Sequence, residues 1–363
     1  MTQIINVCGA RPNFMKIAPL MRAYRCHRRI RPLLVHTGQH YDCHMSELFF
    51  KQLQIPEPDL NLGVGSGSHA AQTAEIMKRF EPVVLAHRPD WVVVVGDVNS
   101  TIACGLVAKK LGVNLAHVEA GLRSFDRTMP EELNRLLTDA ISDLLFVSEP
   151  SGLVNLRREG IPDEKVHFVG NVMIDTLRAN LKHAERSAIL EELGLKRGRF
   201  NVVTLHRPSN VDDAITFGGI ADALDAIQQD LPTVFPMHPR TVKNLRDLGL
   251  AERFEQMKQL RTVEPLGYLD FLKLMAHAAV VLTDSGGIQE ETTILGVWCL
   301  TVRERTERPV TVSQGTNVVV GTDPDRIIAA YRQRRRENLA DPPVPEKWDG
   351  RAAERIAGIL AGC

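Results

Sequence analysis

The sequence predicts an α/β protein built as two successive doubly wound domains. Three observations carry that prediction. Short apolar runs rich in β-branched residues alternate with longer segments of helical period. The alternation runs through the first half of the chain and then restarts in the second. The length, 363 residues, suits two domains rather than one.

In the first half the expected strands are QIINVCG (3–9), PLLVHTG (32–38), WVVVVGD (91–97), VNLAHVE (113–119), DLLFVS (143–148) and KVHFVGN (165–171). Helices are expected at Met15–Arg25, Ala71–Phe80, Thr101–Leu111 and Pro130–Ala140. The second half offers FNVVTLH (200–206), TVFPMH (233–238), RTVEPL (261–266), AVVLTDS (279–285), WCLTV (298–302) and NVVVG (317–321). The boundary falls near Gly170–Thr176, dividing the chain into 1–170 and 171–345. The Pro-rich DPPVPEKWDG (341–350) interrupts the helical pattern, and a short helix, Ala352–Leu360, ends the chain.

Composition narrows the function. Basic and acidic residues balance at 44 each, so the long-range attraction needed for nucleic acid or an anionic membrane is absent. The run Arg332–Arg336 reads as a solvated helix face. Six scattered cysteines without a CxxC pair indicate reduced thiols in a cytoplasmic protein, and no Cys/His cluster has metal-ligand spacing. No apolar run reaches about 18 residues, so neither a signal peptide nor a membrane helix is expected.

In open α/β sheets ligands bind beyond the carboxyl ends of the strands. Those ends read Gly9-Ala10-Arg11-Pro12, Thr37-Gly38-Gln39-His40, Gly96-Asp97, His117-Val118-Glu119, His206-Arg207, His238-Pro239-Arg240 and Asp284-Ser285-Gly286-Gly287. Two purely structural domains do not need polar or glycine-rich groups at so many tips. In LTDSGGIQEE, glycines admit a close ligand and a helix N-terminus offers N–H groups to phosphate; the alternative is that Asp284 or Ser285 simply caps the helix. Glu291, one turn in, can accept two hydroxyl hydrogen bonds from a ribose. Arg11 presents a bidentate fork to an anion, with Lys16 on the following helix as a second cation; the alternative for Arg11 is a structural salt bridge.

Asp97 ends the most apolar strand and is either a helix cap or a reacting group. Glu119 and, after Met129-Pro130, Glu131 bring further carboxylates; crowded like charges raise one pKa and make an acid beside a base. Glu131 alternatively pairs with Arg135, Glu132 reads as a surface acid, and Arg123 and Arg135 hold the loop. His206 with Arg207, and His238 two before Arg240, favour contact with an anionic ligand.

Taken together, GARPNFMKIAPL, TGQHYD, GDVNST, HVEAGLRS, MPEELNR, TLHRPSN, HPRT, LTDSGGIQEE and RERTERPVT resemble the non-hydrolysing UDP-N-acetylglucosamine 2-epimerases, in order from about residue 4 to 322. The resemblance implies the GT-B fold: two Rossmann-like domains with an interdomain cleft, the helix at 351–363 returning to the first domain, and a homodimer. It implies interconversion of UDP-GlcNAc and UDP-ManNAc through UDP and 2-acetamidoglucal, with no cofactor. By the same resemblance Asp97, Glu119, Glu131 and His206 are catalytic, without saying which carboxylate takes the proton. Arg11, Ser285, Gly286, Gly287 and Glu291 are UDP contacts, and Lys16, Gln39, His40, Arg207 and His238 line the cleft. Gln39 and His40 alternatively belong to a second, regulatory UDP-GlcNAc site.

Two departures stand out. Trp298 replaces a usual Pro, with altered packing expected, and Ser209 stands where the family usually has Glu. The stretch VGSGSHAAQ (64–72) is expected to be a loop over the cleft. A 2-epimerase of a modified sugar, such as UDP-2,3-diacetamido-glucuronic acid, fits the same motifs, and a GT-B glycosyltransferase is the alternative from another class.

Overall fold

The computed structural model describes residues 1–39, 53, 55–337, 339 and 343–363, apart from the side chains of Arg11 and Pro12. The chain divides into two compact units, Met1–Ala179 with Glu346–Cys363, and Asn180–Pro345. In the first, seven parallel strands lie in the order β3-β2-β1-β4-β5-β6-β7. They are β1 (Thr2–Cys8), β2 (Ile30–His36), β3 (Leu60–Asn61), β4 (Trp91–Val95), β5 (Asn114–Ala120), β6 (Leu144–Val147) and β7 (Val166–Phe168). In the second, six parallel strands lie in the order β10-β9-β8-β11-β12-β13. These are β8 (Asn201–Thr204), β9 (Thr233–Pro236), β10 (Leu260–Val263), β11 (Val280–Thr283), β12 (Trp298–Thr301) and β13 (Asn317–Val319).

Every run expected to be a strand is one. Leu60–Asn61 is an additional strand without a sequence signal, being two residues long and set by pairing with Val35 and His36. Strands covered on both faces need continuous apolar runs, and Val92–Val95 are all buried. On one face of the first sheet, Ile5, Val7, Val92 and Val94 pack with Ile76, Phe80 and Val84 of the helix His69–His87. That helix runs past Phe80, its expected end, and carries Pro82 inside it. A proline within a helix costs about 3 kcal/mol; burial of Val84 in the turn beyond it, worth roughly 1.5–3 kcal/mol, offsets much of that.

The unit boundary also lies later than position 170. The helix Val172–Ala184 begins in the first unit because its first turns are tied there. Thr176 donates to the Met15 carbonyl at 2.5 Å, and Asp175 accepts from the N–H groups of Ala352 and Ala353 at 3.1 and 2.7 Å. Asp175 thereby caps the final helix, Ala352–Gly362, onto the first unit, while burial pushes its carboxyl up to about 6.

Both sheets reverse their winding at one place, between β1 and β4 and between β8 and β11. A crevice opens at such a switch point because the two connections leave in opposite directions. The tips after these four strands carry most of the residues singled out above.

Candidate functional site: two switch-point tips

In the first unit the tips of β1 and β4 are stitched by Asn13, the third residue of the helix Arg11–Arg25. Its Oδ1 accepts from the N–H groups of Gly9 and Ala10 at 3.1 and 3.2 Å, and its Nδ2 donates to the Val95 carbonyl at 3.0 Å. One turn on, buried Lys16 forms an ion pair with buried Glu119. Gly96 makes room for that pair: it has φ 66°, and a Cβ there would lie 2.7 Å from Lys16 Nζ and 3.8 Å from Glu119 Oε2.

Glu119 sits where β5 slips register against β6, between Val118 and Ala120. Its backbone is left-handed, φ 75°, a conformation that costs a non-glycine residue on the order of 1–3 kcal/mol and gathers at functional sites. Asp97, beyond Gly96, caps no helix; its Oδ2 takes Arg135 at 2.5 Å, and its carbonyl accepts from Asn134 at 2.8 Å. Asp97 and Glu119 therefore lie against different cations, Arg135 and Lys16. Glu131 is half-buried in the first turn of the helix Pro130–Ile141, whose N1 proline sets the entry of the chain. Arg135 binds Asp97 and, at i,i+3, Glu132, rather than Glu131 as i,i+4 spacing suggests.

Glu132, expected at the surface, is 1% exposed. Burial works against its charge, but the N–H groups of Ser124 and Phe125 at 2.9 and 3.0 Å, together with Arg135, outweigh it and hold the carboxyl below its ordinary range. Arg123 does hold the loop, through Asp139 at 2.7 Å and a two-bond pair with Glu159. The stretch 64–72 is also not all loop. Its last four residues open the helix His69–His87, capped by Ser68, and Gln72 is buried with Nε2 donating to the carbonyls of Gly65 and Gln39.

Gln39 is buried, its Oε1 accepting from both the N–H and the hydroxyl of Ser100, so its carboxamide is used within the fold. His40 and the side chain of Arg11 lie outside the described residues.

In the second unit His206 and Asp284 face each other across the switch point, Nδ1 to Oδ1 at 2.9 Å. Asp284 is not a helix cap. Its Oδ2 accepts from the N–H groups of His206 and Arg207 at 3.0 and 2.9 Å and from Asn210 at 3.2 Å. Burial disfavours its charge, and the His206 ring with these N–H groups overrides that and keeps the carboxyl low. The pairing fixes His206 through Nδ1 and leaves Nε2 on its exposed side.

Ser285 precedes the helix Gly286–Leu295 without a side-chain cap bond, so no cap side chain competes for the first-turn N–H groups. Arg308 lies over that turn; a Cβ on Gly286 would stand 2.7 Å from its Nη1. Arg308 is itself anchored to Glu290 at 2.8 Å. Glu291 is buried and accepts from the Tyr268 hydroxyl at 3.0 Å; burial raises its carboxyl to about 7 despite that bond. Arg207 donates to the Asp284 carbonyl at 3.1 Å. Exposed His238 caps the helix Pro239–Asp247, its Nδ1 accepting from Arg240 at 3.2 Å. Gly287 follows Gly286 in the open turn.

Trp298 opens β12 at the end opposite the tips, with the Arg334 guanidinium 4.4 Å above its ring, so the changed packing there is remote from this site. Ser209 is exposed and donates to Asn210 at 3.3 Å. Among the described residues no His/Cys/Asp/Glu group could hold a metal, and no helix is long and apolar enough to cross a membrane. Sequence reasoning does not reach Asn13, His117, Asp139 or the Asp284–His206 pairing. Asn13 reaches Val95, His117 reaches Gly96 and Asp139, and Asp284 reaches His206 only across the fold, and nothing local in the sequence assigns those partners.

A family model described as UDP-N-acetylglucosamine 2-epimerase matches residues 22–361. The chain is 40% identical to the UDP-N-acetylglucosamine 2-epimerase of Methanococcus maripaludis, covering 100% of this chain and 99% of that one. It is also 40% identical to the UDP-2,3-diacetamido-2,3-dideoxy-D-glucuronate 2-epimerase of Pseudomonas aeruginosa, covering 99% of each. The crystal structure of the Methanocaldococcus jannaschii UDP-GlcNAc 2-epimerase in complex with UDP-GlcNAc and UDP is similar at TM-score 0.92 and 40% identity, covering 100% of both chains. The two parallel sheets with their switch points are those of the GT-B fold, and the chain belongs to the UDP-N-acetylglucosamine 2-epimerase family.

Proposed function

We propose that this enzyme interconverts UDP-N-acetylglucosamine and UDP-N-acetylmannosamine by inverting C2. The observation that carries the reading is the strained, cation-paired Glu119 one strand from Asp97. The C2 hydrogen of the sugar is not beside a carbonyl, so a carboxylate cannot remove it directly at a useful rate. Departure of UDP from C1, taking the bonding pair, makes an oxocarbenium-like sugar whose C2 proton is acidic. Loss of that proton to a carboxylate gives 2-acetamidoglucal; return of UDP to C1 and of a proton to the opposite face of C2 completes the inversion. Asp97, Glu119 and Glu131 serve the proton steps, which typically contribute about 10²–10⁴-fold. His206, the open turn at Ser285–Gly287 and Arg11 serve the leaving diphosphate, Lys16, Arg207 and His238 lend further positive or polar groups, and Glu291 serves the ribose. No redox cofactor enters.

Incubation with UDP-GlcNAc in D2O, followed by proton NMR, tests this. Deuterium at C2 in a mixture of gluco and manno products is expected; free UDP without C2 exchange contradicts it. Because the Pseudomonas relative acts on a diacetamido-glucuronate at the same identity, that sugar nucleotide is the second substrate to assay.

The chain is also proposed to act as a homodimer in the cytoplasm. Leu133 and Leu137 project one turn apart from the helix Pro130–Ile141 at 45% and 55% exposed, and Phe125 in the preceding loop is 68% exposed; exposed apolar side chains of this kind suit contact with a second copy. The free cysteines among the described residues accord with a reducing compartment. Light scattering on Leu137→Glu checks the first point, with dissociation expected.

A further inference from the structure

His117 lies on β5 with no exposed surface. Both of its ring nitrogens face acceptors: Nε2 is 2.8 Å from the Gly96 carbonyl and Nδ1 is 2.6 Å from Asp139 Oδ1. A carbonyl cannot donate, so Nε2 carries a hydrogen. Asp139 is fully buried; burial opposes its charge, but His117 and Arg123 prevail and hold the carboxyl low, with Oδ1 set against the ring. The other oxygen, Oδ2, accepts from the Gly121 N–H at 3.0 Å and from Arg123 at 2.7 Å, and Arg123 in turn binds Glu159.

The atoms gripped by this pair belong to the reacting tips. Gly96 immediately precedes Asp97, and Gly121 comes two residues after Glu119. Gly96 also donates its N–H to the Val118 carbonyl at 3.0 Å, so the turn carrying Asp97 and the bulge carrying Glu119 are tied on two sides. Residues that hold a backbone in a strained conformation must over-determine it, and a buried ring bonded on one side to the Gly96 carbonyl and on the other to a carboxylate that also holds the Gly121 N–H does so.

We infer that His117 and Asp139 are positioning residues for C2 inversion: the pair fixes the backbones of Asp97 and Glu119 relative to one another. It touches neither substrate nor the reacting carboxylates, and the inference rests on the epimerase reading above.

Two measurements test it. In the first, 15N–1H NMR of the histidine-labelled full chain should show a hydrogen on His117 Nε2 that exchanges slowly with solvent, as its bond to the Gly96 carbonyl requires; a bare or rapidly exchanging Nε2 overturns the inference. In the second, His117→Gln and Asp139→Asn are assayed for C2 hydrogen–deuterium exchange and, by calorimetry, for UDP affinity. A displacement of about 1 Å at a reacting group costs on the order of 10²-fold. Exchange kcat should therefore fall about 10²-fold while KM and the UDP Kd stay within about 3-fold. Unchanged exchange in a folded variant, or an equal loss of UDP affinity, overturns the inference. Should His117→Gln fail to fold, Asp139→Asn, which keeps one acceptor oxygen for the ring, carries the kinetic arm. Wild-type protein lacking any C2 exchange defeats the epimerase reading instead, and the NMR arm then decides the grip alone.

Discussion

The two switch points solve the same problem, placing charge at the end of a buried strand, in different ways. In the first unit side-chain carboxylates pair with side-chain cations: Glu119 with Lys16, Asp97 with Arg135, Glu132 with the same Arg135. In the second the tip is mostly backbone: N–H groups around Asp284, an uncapped helix start, and glycine under Arg308. Discrete carboxylates suit proton transfer, which needs a defined atom at a defined place. A cradle of N–H groups suits a diphosphate, whose charge is spread over several oxygens. Under the proposed function, proton work falls to the first tip and leaving-group work to the second.

That division is open to direct attack. The largest effect is expected from Glu119→Gln, which removes a buried acid and leaves Lys16 without its partner. C2 exchange should fall on the order of 10³-fold with UDP affinity by calorimetry little changed; a parallel loss of affinity merges the two tips into one function. Next comes Asp284→Asn, which frees the His206 ring from its fixed orientation. A loss of about 10²-fold in turnover is expected, and a pH–rate profile that stays unaltered removes His206 from the chemistry.

Glu291 supplies a smaller, pH-dependent effect. Its carboxyl is raised from 4.5 to about 7 in the folded chain, so the stabilisation it allows is complete below the unfolded value and is lost as pH rises from about 4.5 to 7. Urea unfolding should show the wild type losing on the order of 2–3 kcal/mol across that window relative to Glu291→Gln; parallel pH curves refute the raised value. The smallest is Gly286→Ala. Its Cβ must displace the Arg308 guanidinium, and UDP affinity should weaken about 10-fold, roughly 1.4 kcal/mol, with C2 exchange at saturating substrate retained. Exchange that collapses as well denies the second tip its separate role.

Much of the fold and part of the site are legible in the order of the residues alone. Strands such as Trp91–Val95 announce themselves because a strand buried on both faces must be apolar throughout. Asp97, Glu119 and Asp284 are conspicuous as acids where such runs end. What each acid does is less legible. Glu132 looks like a surface charge because its neighbours in sequence are polar, yet it is satisfied by backbone N–H groups at 124 and 125 in a turn no propensity predicts. Asp284 looks like a helix cap, since its partner His206 lies 78 residues away. The helix His69–His87 outruns its expected end because the turn beyond Pro82 buries Val84 against the first sheet, a contact between elements far apart in the chain.

The sequence by itself determined the class of fold, the order of strands along the chain and the identity of the polar strand ends. These follow from local periodicity and from the need to bury apolar surface. Only the tertiary structure decided which cation neutralises which acid, that Glu119 sits on a left-handed bulge, and that His117 grips the turns on either side. Those arrangements depend on contacts between residues far apart in the chain, and Coulomb and hydrogen-bond energies act through distance in space rather than separation in sequence.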